Sequence, residues 1–133
     1  MDIYREVILD HYKYPRNFGH LDHPDVSSEE HNVSCGDRIR MEVKLAEHNH
    51  NQIFDIRFSG EGCAISTASA SLLTEKVKGL TRAGINDLTK DDILTLLETS
   101  LTPTRLKCAL LPLEVLQRTI RIKSRAITNP KDI

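Results

Sequence analysis

The spacing of hydrophobic positions changes three times along the chain. From Asp2 to Lys13, Ile3, Val7, Ile8 and Tyr12 recur at helical intervals, and Pro15 and Gly19 end the pattern. An amphipathic N-terminal helix is expected there. From Arg38 to Leu45, Ile39, Met41, Val43 and Leu45 alternate with mostly charged residues. A looser alternation runs from Gln52 to Ser59 through Ile53 or Phe54, Ile56 and Phe58. These are two strands of a hairpin, with its tip at residues 48–51. The preceding stretch, Phe18 to Glu30, carries Gly19, Pro24 and many polar residues, which are turn signals with room for a short edge strand near Val26.

Beyond the strands the period becomes helical again. Cys63 to Lys78 is rich in Ala, Ser and Leu and stops at Gly79, predicting a helix whose small residues let it pack closely. Thr81 to Thr99 reads as two shorter helices, the second opening at Thr89 with Asp91 and Asp92 in its first turn and Ile93, Leu94, Leu96 and Leu97 as its apolar face. Thr102 and Pro103 fit the start of a last helix that runs towards Lys123. Pro112 has no N–H to give the carbonyl of Cys108, so a kink or restart is expected there, with Cys108 on a mobile turn. The order of elements predicts an α+β fold with a small antiparallel sheet of about three strands. Residues 1–123 form one domain on this reading, and residues 124–133 form a flexible tail.

Composition narrows the function classes. The 133 residues include 18 Lys and Arg against 19 Asp and Glu, a near-neutral balance without the footprint of a nucleic-acid binder. No apolar run approaches the length that crosses a bilayer, and the first residues lack a secretory signal pattern, so a cytoplasmic protein is expected. Three cysteines in distant segments do not make a disulfide framework, and they suit a reducing compartment where thiols serve metal or sulfur chemistry.

The candidate chemistry lies in those segments. Cys35 and Asp37 flank Gly36, and in extended chain a spacing of two points both side chains the same way. Gly60 and Gly62 permit a sharp turn that delivers Cys63 at or near a helix N-terminus, where thiolate is favoured over thiol. Cys108 can join them only if the last helix begins beneath both loops. Three thiolates select zinc, copper(I) or iron-sulfur clusters, while one carboxylate is a harder and more exchangeable ligand, so Cys35, Asp37, Cys63 and Cys108 read as one site that can release its contents. Each residue also has a plainer role open to it. A single buried cysteine commonly acts as a small apolar residue, Asp37 could cap a turn, Glu61 suits a solvated loop, and Tyr4 suits the core or a partner contact. The histidines, His20 and His23 included, fall mostly in turns and have no matching ligand pair elsewhere.

Three segments carry a family resemblance: Ile3 to Gly19, Cys35-Gly36-Asp37, and most specifically Gly60-Glu-Gly-Cys-Ala-Ile-Ser-Thr-Ala-Ser-Ala-Ser71. In these the chain resembles the iron-sulfur cluster assembly scaffolds IscU and SufU and the N-terminal domain of NifU. The resemblance implies several helices packed on one face of the sheet and brings Cys108 to the other ligands. It implies a [2Fe-2S] cluster on Cys35, Asp37, Cys63 and Cys108, with zinc as an alternative occupant. It also implies a cysteine desulfurase, an iron donor and recipient apo-proteins as partners, and Cys35 or Cys108 as the persulfide acceptor.

The chain departs from the family pattern in places. Lys107 stands where the IscU branch has histidine, as in the SufU branch, yet the SufU insertion between the second and third cysteines is missing. Of the IscU segment that recruits a DnaK-type chaperone, only Leu101 and Pro103 match, so that partner does not carry over. Val33 replaces a family proline. The rival to a scaffold is a zinc-dependent sulfurtransferase; a zinc-structured interaction module and a thiol-disulfide oxidoreductase follow, the last without a Cys-x-x-Cys pair.

Overall fold

The computed structural model describes residues 3–33 and 36–122, with backbone alone at residues 3–5. The chain runs α1 (Ile3–Lys13), β1 (Val26–Asn32), β2 (Asp37–Ala46), β3 (Asn49–Glu61), α2 (Ala64–Val77), α3 (Arg82–Asn86), α4 (Lys90–Leu97) and α5 (Pro103–Arg121). The three strands form one antiparallel sheet in the order β1-β2-β3. Register follows the alternation of the sequence. Met41 faces Phe58 and Ser28, and Val43 faces Ile56 and Val26, so the apolar set of each strand meets on one face. That face carries the core, in which Met41, Val43 and Ile56 are fully buried together with Leu73 of α2, Leu97 of α4 and Leu116 of α5. The helices cover this face alone, and the other face is a charged lattice built on Arg38, Arg40, Glu42 and Lys44.

Two boundaries differ from the sequence reading. The hairpin turn is only Glu47-His48, because Ala46 already pairs with Asn49 and a register shift around Leu45 takes up the extra residue. The edge strand extends over seven residues, Val26 to Asn32, though Val26 is its only buried apolar side chain. Its Glu29, Glu30 and His31 carry no strand signal, and charge of that kind is typical of an edge that must not pair with another chain.

The larger correction concerns α5. It runs unbroken through Pro112, so Cys108 lies inside a helix and not on a turn. The reason is packing on both sides of the proline: Leu111, Pro112 and Leu113 are all buried, and the Ser69 hydroxyl of α2 donates to the carbonyl of Ala109 at 2.6 Å. Burial of these neighbours outweighs the missing helical hydrogen bond.

A strap from Tyr14 to Asp25 ties α1 to the sheet. Arg16 N–H donates to Ser71 Oγ at 2.8 Å, and the same hydroxyl lies 2.7 Å from His11 Nδ1. Burial, then the neighbouring Arg16, lower the pKa of His11, which suits a neutral ring in this bond. Phe18 packs edge to face on Phe58 with ring centroids 5.3 Å apart. Further along, Leu21 N–H donates to the buried Glu42 carboxylate at 2.9 Å.

Candidate metal centre

Asp37 opens β2 and shares the parity of Ile39 and Met41, so its side chain turns to the core face at the very end of the strand. It is only 4% exposed. Its two oxygens have different surroundings. Oδ1 accepts the Cys63 N–H at 3.1 Å, whereas Oδ2 is buried and, among the described residues, meets no hydrogen-bond donor. A buried carboxylate oxygen left in that condition costs free energy that a cation would recover.

Cys63 arrives beside it through a turn that glycine makes possible. Gly60 has φ of +118°, and a Cβ there would lie 2.0 Å from the Arg38 carbonyl oxygen on the neighbouring strand. Only glycine fits. Cys63 is the N-cap of α2, and its Sγ accepts the Ser66 N–H at 3.5 Å, which places sulfur at the positive end of a helix of 14 residues. Cys108 comes up from α5 at 3% exposure. The candidate donor atoms of Asp37, Cys63 and Cys108 all lie within 4.8 Å of one another. A strand start, a helix N-terminus and a helix interior thus converge on one point.

The arrangement fits a bound ion. Two sulfurs and one unpartnered carboxylate oxygen make three donors suited to zinc or iron, and a tetrahedral ion needs one more. Cys35 lies outside the described residues. Its segment is the four-residue connection between Asn32 and Asp37, which pair across β1 and β2, and Gly36 N–H closes that turn on the Asn32 carbonyl at 2.8 Å. When bound, zinc would supply Lewis acidity and order the four ligand segments.

Other candidates resolve more simply. The capping role weighed for Asp37 is seen in the bond from the Cys63 N–H to Oδ1, and it leaves Oδ2 without a hydrogen-bond donor among the described residues. Glu61 is 85% exposed and reaches only Arg38, at 3.4 Å. His20 Nδ1 lies 2.7 Å from Glu42, and no histidine joins the metal-ligand group among the described residues. The Tyr4 side chain lies outside the described residues. Lys107 is exposed and lines a surface groove of about 350 Å³ with His31, Asn32, Val33, Leu111 and Glu114, next to the Cys108 segment. Burial and then the nearby Glu30 raise the Glu114 carboxyl above its ordinary value. The sequence reading missed the grip of Asp37 on the Cys63 backbone and the buried hydroxyls of Ser66 and Ser69. Only the contrast of polar serines within an otherwise apolar helix could have signalled them.

Known proteins place this geometry in context. The model of the NifU-like N-terminal domain matches residues 3–127. The chain is 38% identical to the zinc-dependent sulfurtransferase SufU of Bacillus subtilis, over 87% of this chain and 88% of that protein. It is 33% identical to the iron-sulfur cluster assembly scaffold protein IscU of Escherichia coli, over 88% of this chain and 91% of that protein. Among solved structures, an iron-sulfur cluster assembly scaffold protein for the SUF system from Fervidobacterium islandicum superposes with a TM-score of 0.72 at 26% identity, covering 86% of this chain and 94% of that one. A three-stranded sheet with helices on one face, ending in a group of buried Asp37, half-buried Cys63 and buried Cys108, accords with that match, and the chain belongs to the NifU-like N-terminal domain family.

Proposed function

We propose that this protein is an iron-sulfur cluster assembly scaffold. It takes persulfide-level sulfur from a cysteine desulfurase and iron from a donor, assembles a [2Fe-2S] cluster on Cys35, Asp37, Cys63 and Cys108 with electrons from an external reductant that bring the sulfur to sulfide, and passes the cluster to recipient apo-proteins. The observation that carries this reading is the buried Asp37 carboxylate, one oxygen of it unpartnered among the described residues, in a group with Cys63 and Cys108 whose candidate donor atoms lie within 4.8 Å of one another. A purely structural thiol cluster would not need a desolvated carboxylate beside it. The mixed donor set also suits temporary custody, because the carboxylate is the weakest soft-metal ligand of the four. Zinc occupies the same ligands when no cluster is present. One scaffold domain spans residues 1–123, in a reducing compartment such as the cytoplasm.

Anaerobic reconstitution of the zinc-stripped protein with ferrous iron, cysteine, a desulfurase and a thiol reductant tests the reading. The expected product is a [2Fe-2S] chromophore that moves to an apo-ferredoxin. Its absence, with metal bound elsewhere or not at all, contradicts the proposal.

One observation favours a second reading. Lys107, beside Cys108, is a lysine as in the SufU branch, and the Bacillus relative is a zinc-dependent sulfurtransferase. On that reading zinc orders the site, and Cys35 or Cys108 carries persulfide sulfur away from the desulfurase. Zinc-dependent stimulation of desulfurase turnover without iron, with a persulfide located by mass spectrometry, separates it from the scaffold.

A further inference from the structure

We propose that two buried serines of α2, Ser66 and Ser69, are positioning residues that hold the Cys63 and Cys108 segments at the separation a shared ion requires. The inference rests on the reading of Asp37, Cys63 and Cys108 as a metal centre. Ser66 is fully buried and Ser69 is 1% exposed, and three residues apart they lie on the same side of the helix. Each hydroxyl is spent on a cysteine segment. Ser66 Oγ donates to the Cys63 carbonyl at 3.2 Å, while the Ser66 N–H reaches Cys63 Sγ. The hydroxyl is lodged against the turn, because a Cβ added at Gly62 would lie 2.2 Å from Ser66 Oγ. Ser69 Oγ donates at 2.6 Å to the carbonyl of Ala109, the residue after Cys108, and so ties the Cys108 segment of α5 to α2.

Close packing alone does not account for these hydroxyls. Alanine would pack α2 as tightly without the desolvation cost of a buried polar group. Ser71 supplies the internal comparison: its buried hydroxyl serves His11 and Arg16 in the strap and touches neither cysteine segment. If Ser66 and Ser69 act by position, their loss disturbs metal retention, whereas loss of the Ser71 hydroxyl disturbs stability alone.

The experiment uses the zinc-loaded full chain and reads zinc release to excess chelator, with cobalt(II) substitution to report thiolate-to-metal charge-transfer bands and the Tm of the metal-stripped protein to report stability. Ser66→Ala and Ser69→Ala are each expected to speed release about fivefold, as one net hydrogen bond implies, and to shift the cobalt bands. Ser71→Ala is expected to lower Tm without either change. Gly62→Ala perturbs the same contact from the other side, and its effect is expected to shrink in the Ser66→Ala background, where the atom it strikes is gone. Release within twofold of wild type from Ser66→Ala or Ser69→Ala, or equal acceleration by Ser71→Ala, overturns the positioning role. Failure of the wild-type protein itself to bind zinc would overturn the metal-centre reading beneath it.

Discussion

Asp37 is the residue on which the account turns, because its two oxygens have separate duties. Oδ1 holds the Cys63 backbone, and Oδ2 is buried without a hydrogen-bond donor among the described residues. Replacing it should therefore separate two effects. Asp37→Asn keeps a carbonyl oxygen for the Cys63 N–H but loses the charge, so it is expected to preserve the unfolding free energy of the metal-stripped protein within about 1 kcal/mol while lowering zinc affinity at least tenfold, which chemical denaturation and isothermal titration check. Asp37→Ala should lower zinc affinity and also lose the bond to the Cys63 N–H, at a cost of about 1 kcal/mol in the metal-stripped protein. By analogy with the family, its [2Fe-2S] cluster should also persist longer, as visible absorption over time would show. The sequence singled out Asp37, Cys63 and Cys108, whose candidate donor atoms the fold brings within 4.8 Å of one another, because cysteines and an aspartate in glycine-marked segments suggest a site before any fold is known. The division of labour between the carboxylate oxygens was not legible there, because it depends on β2 ending opposite the turn that precedes α2.

At the scale of elements, the site is built where a strand passes into a helix. Gly60 lies opposite Ile39 in the sheet with a positive φ, and any side chain there would strike the Arg38 carbonyl. Gly60→Ala is expected to cost about 2–3 kcal/mol by chemical denaturation and to abolish zinc binding, since the turn that delivers Cys63 would have to move. Gly60 was readable from sequence as a turn residue. α5 was misread at one residue, because Pro112 breaks helices when nothing compensates, and here burial of Leu111, Pro112 and Leu113 does so. A consequence follows for exchange: the amides from Leu106 to Leu111 should be protected to the same order as those from Leu113 to Ile120. Exchange at least tenfold faster before the proline would restore the mobile turn. β1 was underread for a related reason, since its signal lies in pairing with β2 and not in its own side chains.

For the whole molecule, the sheet divides the work between its faces. One face buries the core and brings three elements to the candidate metal centre; the other carries charge, with Glu42 at its middle. The Glu42 side chain is only 5% exposed, and that burial would raise its pKa, but bonds from His20, the Leu21 N–H and Arg40 outweigh it and hold the carboxyl below its usual range. A depressed carboxylate pKa stabilises the fold above the unfolded value, about 4.3 for glutamate, and that contribution is lost as pH falls through the folded value. Glu42→Gln is thus expected to lose about 1–3 kcal/mol at pH 7, with the gap to wild type closing below about pH 4 in urea titrations. A gap that stays constant with pH would assign the loss to packing.

X-ray absorption at the zinc edge of the metal-loaded protein tests the central claim most directly, namely that one ion is shared by Cys35, Asp37, Cys63 and Cys108. The account predicts three sulfur scatterers at about 2.3 Å and one oxygen at about 2.0–2.2 Å, with the oxygen replaced or missing in Asp37→Ala. A spectrum dominated by histidine nitrogen, or one that Asp37→Ala leaves unchanged, would contradict it.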